Sequence, residues 1–458
     1  PPDLSRISIN WPRAANSYIN GASHANAVTA SVNGTDEINS GTLVYNVNST
    51  SGLMNKTGIE LYKGSYTNDG KIEINYDGVG NSGGSVTTTN TFHGILNENR
   101  YFSGPQDSNP ISFINNGEFN IYTNLADNGG DVGSVMGIHY YSGSYAENTK
   151  IENYGTVRVK QAVWMQFEDT EGRYLSHSSD GRVGNVIVDE SSQGLQVWRC
   201  CYTDYRDNDS LAYLDPGIIV VRGQSTGINI VESQTGMRSE VVNDNQTGDT
   251  SKDSQLIVEN GNGLVFTIST ALKTGLYEEV NIPIYQTGVG TNGLIVIDGT
   301  SNGAPGWSTS GRGKGVVHLG TGAKIEIRTP GNMTSRTTGI YTNAAQAIDN
   351  EGTVSNMTSD AYSVTLNDGT VLNYDAQPDG SKNTVGVYIT RNNGMALNTE
   401  VLPGETSSNI HYRQNGGSIR IGGENSVAVY NNSDVVKITN NAEIEAANGA
   451  VGLYTKGY

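Results

Sequence analysis

The chain has 458 residues, of which 16% are charged and 58 are glycine, and its formal net charge is −18. That length is too great for one compact globule but ordinary for a stack of repeats. The negative field disfavours nucleic acid and anionic membrane as partners. No apolar run approaches the length of a membrane-spanning helix. The two cysteines, Cys200 and Cys201, are adjacent and form neither a disulfide framework nor a zinc site.

A short turn phrase recurs along the chain. It consists of Asn, any residue, a small residue, a polar residue and an apolar residue, as in Asn68-Asp-Gly-Lys-Ile72. Further copies begin at Asn39, Asn115, Asn153, Asn350, Asn367 and Asn415. Asn and Gly tolerate the left-handed backbone of a tight corner. The alternation after the corner, as in Lys71-Ile-Glu-Ile74, has the period of a strand with one buried face. Each copy therefore predicts a corner followed by a strand.

A second phrase, Gly-aliphatic-Tyr, accompanies the first. It occurs at Gly339-Ile-Tyr341, Gly386-Val-Tyr388 and Gly452-Leu-Tyr454, and as Ala428-Val-Tyr430. No window predicts a convincing amphipathic helix, so each unit is strand, corner, strand, corner. Such a unit cannot bury its own apolar face, and the units must stack. The sequence predicts an all-β parallel β-helix (β-solenoid) with coils about 4.8 Å apart. The repeated Asn, Gly and Tyr are interpreted as scaffold, with the Asn side chains stacked in hydrogen-bonded ladders.

Four segments follow from this pattern. Residues 1–30 are irregular and are predicted to be a lead-in or cap, since the end of a solenoid exposes core and unpaired backbone. Residues 31–160 carry the turn phrase and are predicted to be β-helix coils with loop excursions. Residues 161–216 lack the phrase and are interpreted as a non-repeat inserted subdomain. Residues 217–458 are predicted to be coils again, continuing past the end of this sequence.

The pairing of the two phrases, over residues 30–160 and 320–458, resembles the passenger domains of type V (classical monomeric) autotransporters, especially the large fusobacterial adhesins. The resemblance implies a right-handed solenoid, a monomer, and display on the bacterial cell surface after secretion across the outer membrane. It also implies adhesion to host glycans, host protein receptors or other bacteria. An export signal and a C-terminal membrane barrel would lie outside this sequence.

The candidate binding residues lie in the predicted insert. Residues 198–206, Trp-Arg-Cys-Cys-Tyr-Thr-Asp-Tyr-Arg, are the least repeat-like stretch of the chain. Trp, Tyr and Arg dominate the energetics of interfaces, and aromatic side chains with polar neighbours suit the faces of sugars. The candidates are Trp164, Trp198, Arg199, Tyr202, Asp204, Tyr205 and Arg206. The alternative interpretation is that these side chains form the small core of the insert.

Catalytic and metal-binding patterns are not recognisable. Inverting glycoside hydrolysis needs two carboxylates about 6.5–9.5 Å apart, but the sequence has no Asp-Asp pair and His93-Gly94 has no acidic pair beside it. A serine nucleophile with placed His and Asp partners is also missing. Asp244, Asp249 and Asp253 share one polar loop, yet the nonapeptide of calcium-binding rolls is absent. We expect no catalytic residue, metal or cofactor. A polysaccharide-active β-helix enzyme (lyase or glycoside hydrolase) and a purely structural stalk remain the alternatives to an adhesin.

Overall fold

The computed structural model describes most of the chain between Val28 and Thr455. The described residues are 28–34, 36–48, 56–78, 91–98, 111–141, 149–168, 172–198, 210–232, 237–242, 244–268, 294–298, 316–319, 324–328, 337–342, 347–350, 352–390, 410–432, 435–439 and 441–455. Nearly all of the predicted lead-in, residues 1–27, lies outside them, as do Cys200 and Cys201.

The described chain is a parallel β-solenoid, as the repeats predict. Each coil contributes strands to three sheets, here named A, B and C, in that order along the chain. Sheet C has 11 strands and thus marks eleven coils, numbered 1 to 11 from the N-terminal end. Strands are numbered β1 to β36 in chain order.

Sheet A contains β1 (Val28–Asn33), β4 (Lys56–Asn68), β6 (Phe92–Glu98), β9 (Val135–Tyr141), β12 (Val163–Glu168), β15 (Gln193–Trp198), β18 (Ser225–Glu232), β21 (Gly261–Ile268), β25 (Thr337–Thr342), β30 (Thr384–Thr390), β33 (Val427–Asn432) and β36 (Val451–Thr455). Sheet B contains β2 (Glu37–Asn39), β7 (Ile111–Asn115), β10 (Thr149–Asn153), β13 (Gly172–Leu175), β16 (Ser210–Leu214), β19 (Met237–Val242), β22 (Leu294–Asp298), β23 (Val316–Leu319), β26 (Ala347–Asn350), β31 (Ile410–Gln414) and β34 (Val435–Ile438). Sheet C contains β3 (Thr42–Asn48), β5 (Lys71–Asp77), β8 (Glu118–Thr123), β11 (Thr156–Lys160), β14 (Asn185–Asp189), β17 (Ile218–Val221), β20 (Gln255–Val258), β24 (Lys324–Ile327), β27 (Thr353–Ser355), β32 (Ser418–Gly422) and β35 (Glu443–Ala447).

Neighbouring coils are held in register by parallel pairing. Val157 of β11, for example, pairs with Phe119 of β8 on one side and with Val186 of β14 on the other. Strand β4 bends from sheet A into sheet B and joins the two sheets. Strand β22 is the exception among the rod strands described, because it pairs antiparallel with both β19 and β23. The prediction of coils over residues 217–458 made β22 one more coil face and did not reveal its reversed direction.

The Asn of the turn phrase forms a ladder at the corner between sheets B and C. Nδ2 of Asn39 donates to Oδ1 of Asn68 at 2.8 Å. Asn68 donates in the same way to Asn115 at 2.8 Å, and Asn115 donates to Asn153 at 2.9 Å. The last three side chains are completely buried. The predicted stacking of Asn along the rod is confirmed over these four coils.

The Gly of the turn phrase is required by the coil next to it. A Cβ atom on Gly117 would lie 2.0 Å from the carbonyl oxygen of Gly70, and one on Gly155 would lie 2.0 Å from that of Gly117. Gly41, in the first described coil, has no atom within 4 Å of this position. The glycine is therefore selected by close contact between coils.

The predicted insert belongs to the rod over every residue that the structure describes. In β12, Met165 pairs in parallel register with Ile138 of β9 and with Leu195 of β15. Residues 163–168, 172–175, 185–189, 193–198 and 210–214 thus form strands of coils 5 and 6, and the prediction of a separate subdomain is corrected for them. The turn phrase is not recognisable in these two coils because the Asn of the phrase is replaced. The corners still keep the close-packed glycine, at Gly184 and Gly217.

One copy of the turn phrase is not a coil corner. The stretch 367–371 connects β28 (Tyr362–Thr365) and β29 (Val371–Tyr374), which form an antiparallel hairpin. Gly369 in this turn has a φ of +83°, a conformation that favours glycine. The hairpin leaves the rod after β27 and packs on the outer face of sheet C, where Val364 is buried against Ile187 and its neighbours.

Candidate functional site

Trp164, a predicted binding residue, lies in the core. Its side chain is 0% exposed, its Nε1 donates to the hydroxyl of Tyr174 at 3.1 Å, and its ring packs edge-on against Phe119. By register it occupies the position held by Gly137 and Gly194 in the adjacent coils. A ligand in solvent cannot reach this indole, so the prediction that Trp164 binds a ligand is wrong.

Trp198 lies at the end of β15 and is partly exposed. It is in register with Glu168 of β12 and with Val231 of β18, while its neighbour Val197 is fully buried. The indole therefore stands on the outer face of sheet A. The other predicted binding residues lie outside the described residues; they are Arg199, Tyr202, Asp204, Tyr205 and Arg206.

A single row of side chains runs along the outer face of sheet A, one from each of its strands from β4 to β36, and is called the outer row of sheet A. It comprises Glu60, Leu96, His139, Gln166, Gln196, Asn229, Val265, Tyr341, Tyr388, Tyr430 and Tyr454. Its chemistry changes along the rod, from acid and imidazole through amides to four tyrosines. Trp198 lies beside the imidazole and amide part.

The carboxylate of Glu168 is held by two neighbours from this row. Nε2 of His139 lies 2.7 Å from Oε2 of Glu168, and Nε2 of Gln166 donates to the same oxygen at 2.9 Å. Farther along, Nδ2 of Asn229 donates to Oε1 of Gln193 at 2.9 Å. The bonds from His139 and Gln166 fix the carboxylate of Glu168, which register places beside Trp198, in a defined orientation. A surface with oriented donors and acceptors beside an indole can bind a polar ligand that also has an apolar face.

A second imidazole extends this cluster towards coil 3. The rings of His93 and His139 are 4.7 Å apart between centroids, and both side chains are largely buried. Burial, reinforced by the neighbouring His139, holds the pKa of His93 well below its ordinary value. His93 is therefore neutral at physiological pH and adds no positive charge beside Glu168.

The tyrosine end of the outer row is a continuous stack. The ring centroids are 5.4 Å apart from Tyr341 to Tyr388, 4.6 Å from Tyr388 to Tyr430, and 4.8 Å from Tyr430 to Tyr454. Each ring covers the face of the next, so mainly ring edges and hydroxyls point outward. Burial raises the pKa of Tyr341. These contacts agree with a scaffold role for the tyrosines and leave the Trp198 end as the better candidate for ligand stacking.

A buried His–Asp pair in coils 5 and 6 has the composition of part of a catalytic triad. His177 Nδ1 lies 2.8 Å from Oδ1 of Asp215, but its Nε2 lies 2.6 Å from the carbonyl oxygen of Lys252. In a triad, Nε2 must face the nucleophile to take its proton. Here it is bound to backbone, so the pair is structural.

The polar loop considered for calcium uses its oxygen atoms in its own turns. Oδ1 of Asp249 accepts from both the amide and the hydroxyl of Ser251, and Oδ1 of Asp253 accepts from Nδ2 of Asn245. Oδ1 of Asn245 in turn accepts from Thr247. Within the described ranges, no group of three or more His, Cys, Asp or Glu side chains is arranged to hold a metal ion.

The chain matches no family model, no curated protein and no solved structure. The contacts around Trp198 therefore stand without a relative for comparison. Over the same described ranges, no helix has the length and apolar character that crossing a membrane requires.

Proposed function

We propose that this chain is part of a bacterial surface adhesin of the autotransporter passenger type, and that it binds its ligand on sheet A around Trp198. One observation supports this most directly. The partly exposed indole of Trp198 is in register with Glu168, and the carboxylate of Glu168 is oriented by His139 and Gln166. An exposed aromatic beside preoriented polar groups is typical of binding surfaces.

The chemistry of this surface favours a glycan as ligand. Sugar rings combine hydroxyl groups with an apolar C–H face, which suits an indole next to carboxylate and amide groups. The ligand would belong to a host-cell glycan or glycosylated receptor, or to the surface of another bacterium. Many such weak contacts, presented on many rods, would add up through avidity. The net charge of −18 keeps the rods soluble and apart.

A purely structural stalk is the second candidate. It is favoured by the complete burial of Trp164 and by the uninterrupted register of coils 4 to 6, which carry β9, β12 and β15. In this alternative, the amides and Trp198 on sheet A contact only solvent, and adhesion belongs to another part of the parent protein.

The test is a binding screen with matched variants. The purified chain is applied to a glycan panel and to host and bacterial cells, next to Trp198→Ala and to a variant in which residues 199–209 are replaced by a Gly-Ser link. Tyr388→Ala is the control, because Tyr388 lies on the same face and in the stacked part of the row. We expect both Trp198→Ala and the link variant to weaken binding, while Tyr388→Ala retains it.

Absence of binding by every form, with the rods folded as judged by circular dichroism, would make this segment a stalk. To test the enzyme alternative, the same preparations are incubated with acidic and neutral polysaccharides and the length of the polymer is measured. An adhesin leaves the polymer length unchanged, whereas release of shorter chains by the wild type would replace the adhesin proposal with a lyase or hydrolase.

A further inference from the structure

The outer face of sheet C carries an apolar patch in the middle of an otherwise mostly polar row. One outward side chain per coil aligns there: Val44, Glu73, Asn120, Arg158, Ile187, Val220, Ile257, Glu326, Ser355, Arg420 and Glu445. Only coils 5 to 7 place consecutive apolar residues in this row. The hairpin of β28 and β29 covers these three residues with Val364, Leu366 and Tyr374, which are buried in the same cluster.

The tip of the hairpin is fixed to the corners of coils 4 and 5. The backbone N–H of Asn367 donates to Oδ1 of Asn185 at 2.9 Å. Its side-chain Nδ2 donates to the carbonyl oxygens of Tyr154 and Gly155 in coil 4 and of Val183 in coil 5, at 3.0, 3.1 and 2.7 Å. This one side chain therefore satisfies backbone groups from two coils.

A charged contact adds to the attachment of the tip. Arg158 of coil 4 forms an ion pair with Asp368, and its Nη2 also donates to Oγ1 of Thr370 at 3.2 Å. The Arg158 side chain holds the pKa of Asp368 below its ordinary value despite partial burial of that carboxyl. The paired residues are 210 positions apart in the sequence.

The shaft of the hairpin is bonded to coils 6 and 7. The hydroxyl of Tyr374 donates to Oε1 of Glu259 at 2.8 Å. Glu259 also accepts two bonds from Arg222, at 2.6 and 3.0 Å. These three side chains form one network that crosses from the hairpin to two adjacent coils.

The base of the hairpin is locked to coils 8 and 9. The guanidinium of Arg328, almost fully buried, lies 5.2 and 5.4 Å from the ring centroids of Tyr362 and Tyr374. Nε2 of Gln377 donates to the carbonyl oxygen of Asn356 at 2.5 Å. The hairpin is thus attached along its whole length, from coil 9 back to coil 4.

We propose that this hairpin is a strap that makes coils 4 to 9 unfold as one unit when the rod is pulled. In an ordinary solenoid each coil contacts only its neighbours, so the stack can unravel from an end one coil at a time. The strap ties the first and last of these six coils together. The consequence is a stiff, force-resistant block within the rod, whether the rod carries an adhesive site or serves as a stalk.

The test is single-molecule pulling between handles at the two ends of the full chain. Coils 4 to 9 run from β9 to β27, residues 135–355. Their release as one block adds about 700 Å of chain, whereas single coils, which span from 28 residues (start of β9 to start of β12) to 76 residues (start of β21 to start of β25), add about 100 to 250 Å. We expect the wild type to show the large step. A strapless rod, in which residues 359–376 are replaced by a Gly-Ser link and Ile187, Val220 and Ile257 are each changed to Thr, should unravel in steps of one coil.

A variant with only two substitutions keeps the proposal testable if the strapless rod misfolds. Asn367→Ala with Asp368→Ala removes the side-chain contacts of these two tip residues and should lower the force at which the large step occurs. The backbone bond of residue 367 to Asn185 stays in place. Ser363→Ala with Asn373→Ala is the control, because these two exposed side chains bond only to each other across the hairpin at 2.7 Å. Coil-by-coil unravelling of the wild type, or an unchanged unfolding force in the tip variant, would overturn the proposal.

Discussion

Nδ1 of His177 lies 2.8 Å from Oδ1 of Asp215, and the two side chains are 4% and 0% exposed. The other ring nitrogen, Nε2, lies 2.6 Å from the carbonyl oxygen of Lys252. A carboxylate and a carbonyl only accept hydrogen bonds. Both ring nitrogens must therefore carry hydrogen, and His177 is an imidazolium that ties the loop around Lys252, in coil 7, to coils 5 and 6.

This contact predicts a pH-dependent contribution to stability. Burial alone would lower the pKa of His177, but its hydrogen bond to Asp215 and the charge of that carboxylate outweigh burial and raise the pKa. A histidine of this kind stabilises the fold fully below its unfolded pKa of about 6.5 and loses that contribution as pH rises through the folded pKa. Asp244 also faces the pair, and its pKa is raised by burial and by Asp215.

The measurement is thermal or urea unfolding of the wild type and His177→Gln as a function of pH. Removing one partner of a buried ion pair costs about 3–5 kcal/mol, so the variant should be less stable by about that amount near pH 6. The difference should shrink as the pH becomes alkaline. A difference that stays constant with pH would contradict a raised pKa of His177 in the folded protein.

The Asn ladder predicts a sharp contrast between two neighbouring residues. Asn115→Ala removes a completely buried side chain that accepts from Nδ2 of Asn68 and donates to Oδ1 of Asn153. Oδ1 of Asn153 then loses this donor, and Nδ2 of Asn68 keeps only its bond to the carbonyl oxygen of Glu118. The expected cost is about 1–3 kcal/mol for each unsatisfied buried group. Asn116→Ala is the control, because Asn116 is more exposed and bonds to Asp69 on the surface. Equal unfolding free energies for the two variants would contradict a structural role for the ladder.

The corner glycines predict a second matched pair. Gly117→Ala places a methyl group 2.0 Å from the backbone carbonyl of Gly70, and that backbone must move. Overpacking of this kind costs about 1–3 kcal/mol or more. Gly41→Ala occupies the same place in the turn phrase but meets no atom within 4 Å. Urea unfolding should show a large loss for Gly117→Ala and little change for Gly41→Ala; similar losses would mean that the glycine is needed for backbone conformation alone.

Substitution of Trp164 should lower the stability of the fold and leave ligand binding unchanged. Trp164→Ala removes a buried ring that contacts Phe119 and Tyr174, and loss of such a side chain costs about 3–5 kcal/mol. The milder Trp164→Phe keeps most of the packing and should bind the ligand like the wild type once folded. A selective loss of binding by a stable Trp164→Phe would contradict the assignment of this residue to the core.

Much of the rod could be predicted from repeated phrases because stacked coils repeat the same contacts. Asn68 and Asn115 recur since each bonds to the next, and Tyr388 and Tyr430 recur since their rings stack. Strands β12 to β16, in coils 5 and 6, were not recognised as coil strands. One physical reason is that Ile187 of β14 faces outward yet is buried by the hairpin, so this strand lacks the alternation expected of a half-buried sheet.

Three other features could not be derived from local pattern. The phrase at Asn367 encodes a tight turn, but nothing within it distinguishes a coil corner from a hairpin tip; only contacts with Asn185 and Tyr154, distant in sequence, do so. Trp164 replaces a glycine of the second phrase and therefore looked foreign to the repeat, although it fills space inside the rod. The neighbour of Trp198 on sheet A was hidden because only the pairing of β12 with β15 brings Glu168 beside it.

The most direct test of the binding proposal is the affinity of the chain for the best glycan from the screen, measured by titration with the wild type, Trp198→Ala and Tyr388→Ala. Truncation of a central aromatic anchor typically costs at least about 2 kcal/mol, which is about 30-fold in Kd. The account predicts a weakening of that size for Trp198→Ala and an unchanged Kd for Tyr388→Ala. Equal affinity for Trp198→Ala and the wild type would contradict a ligand site around Trp198.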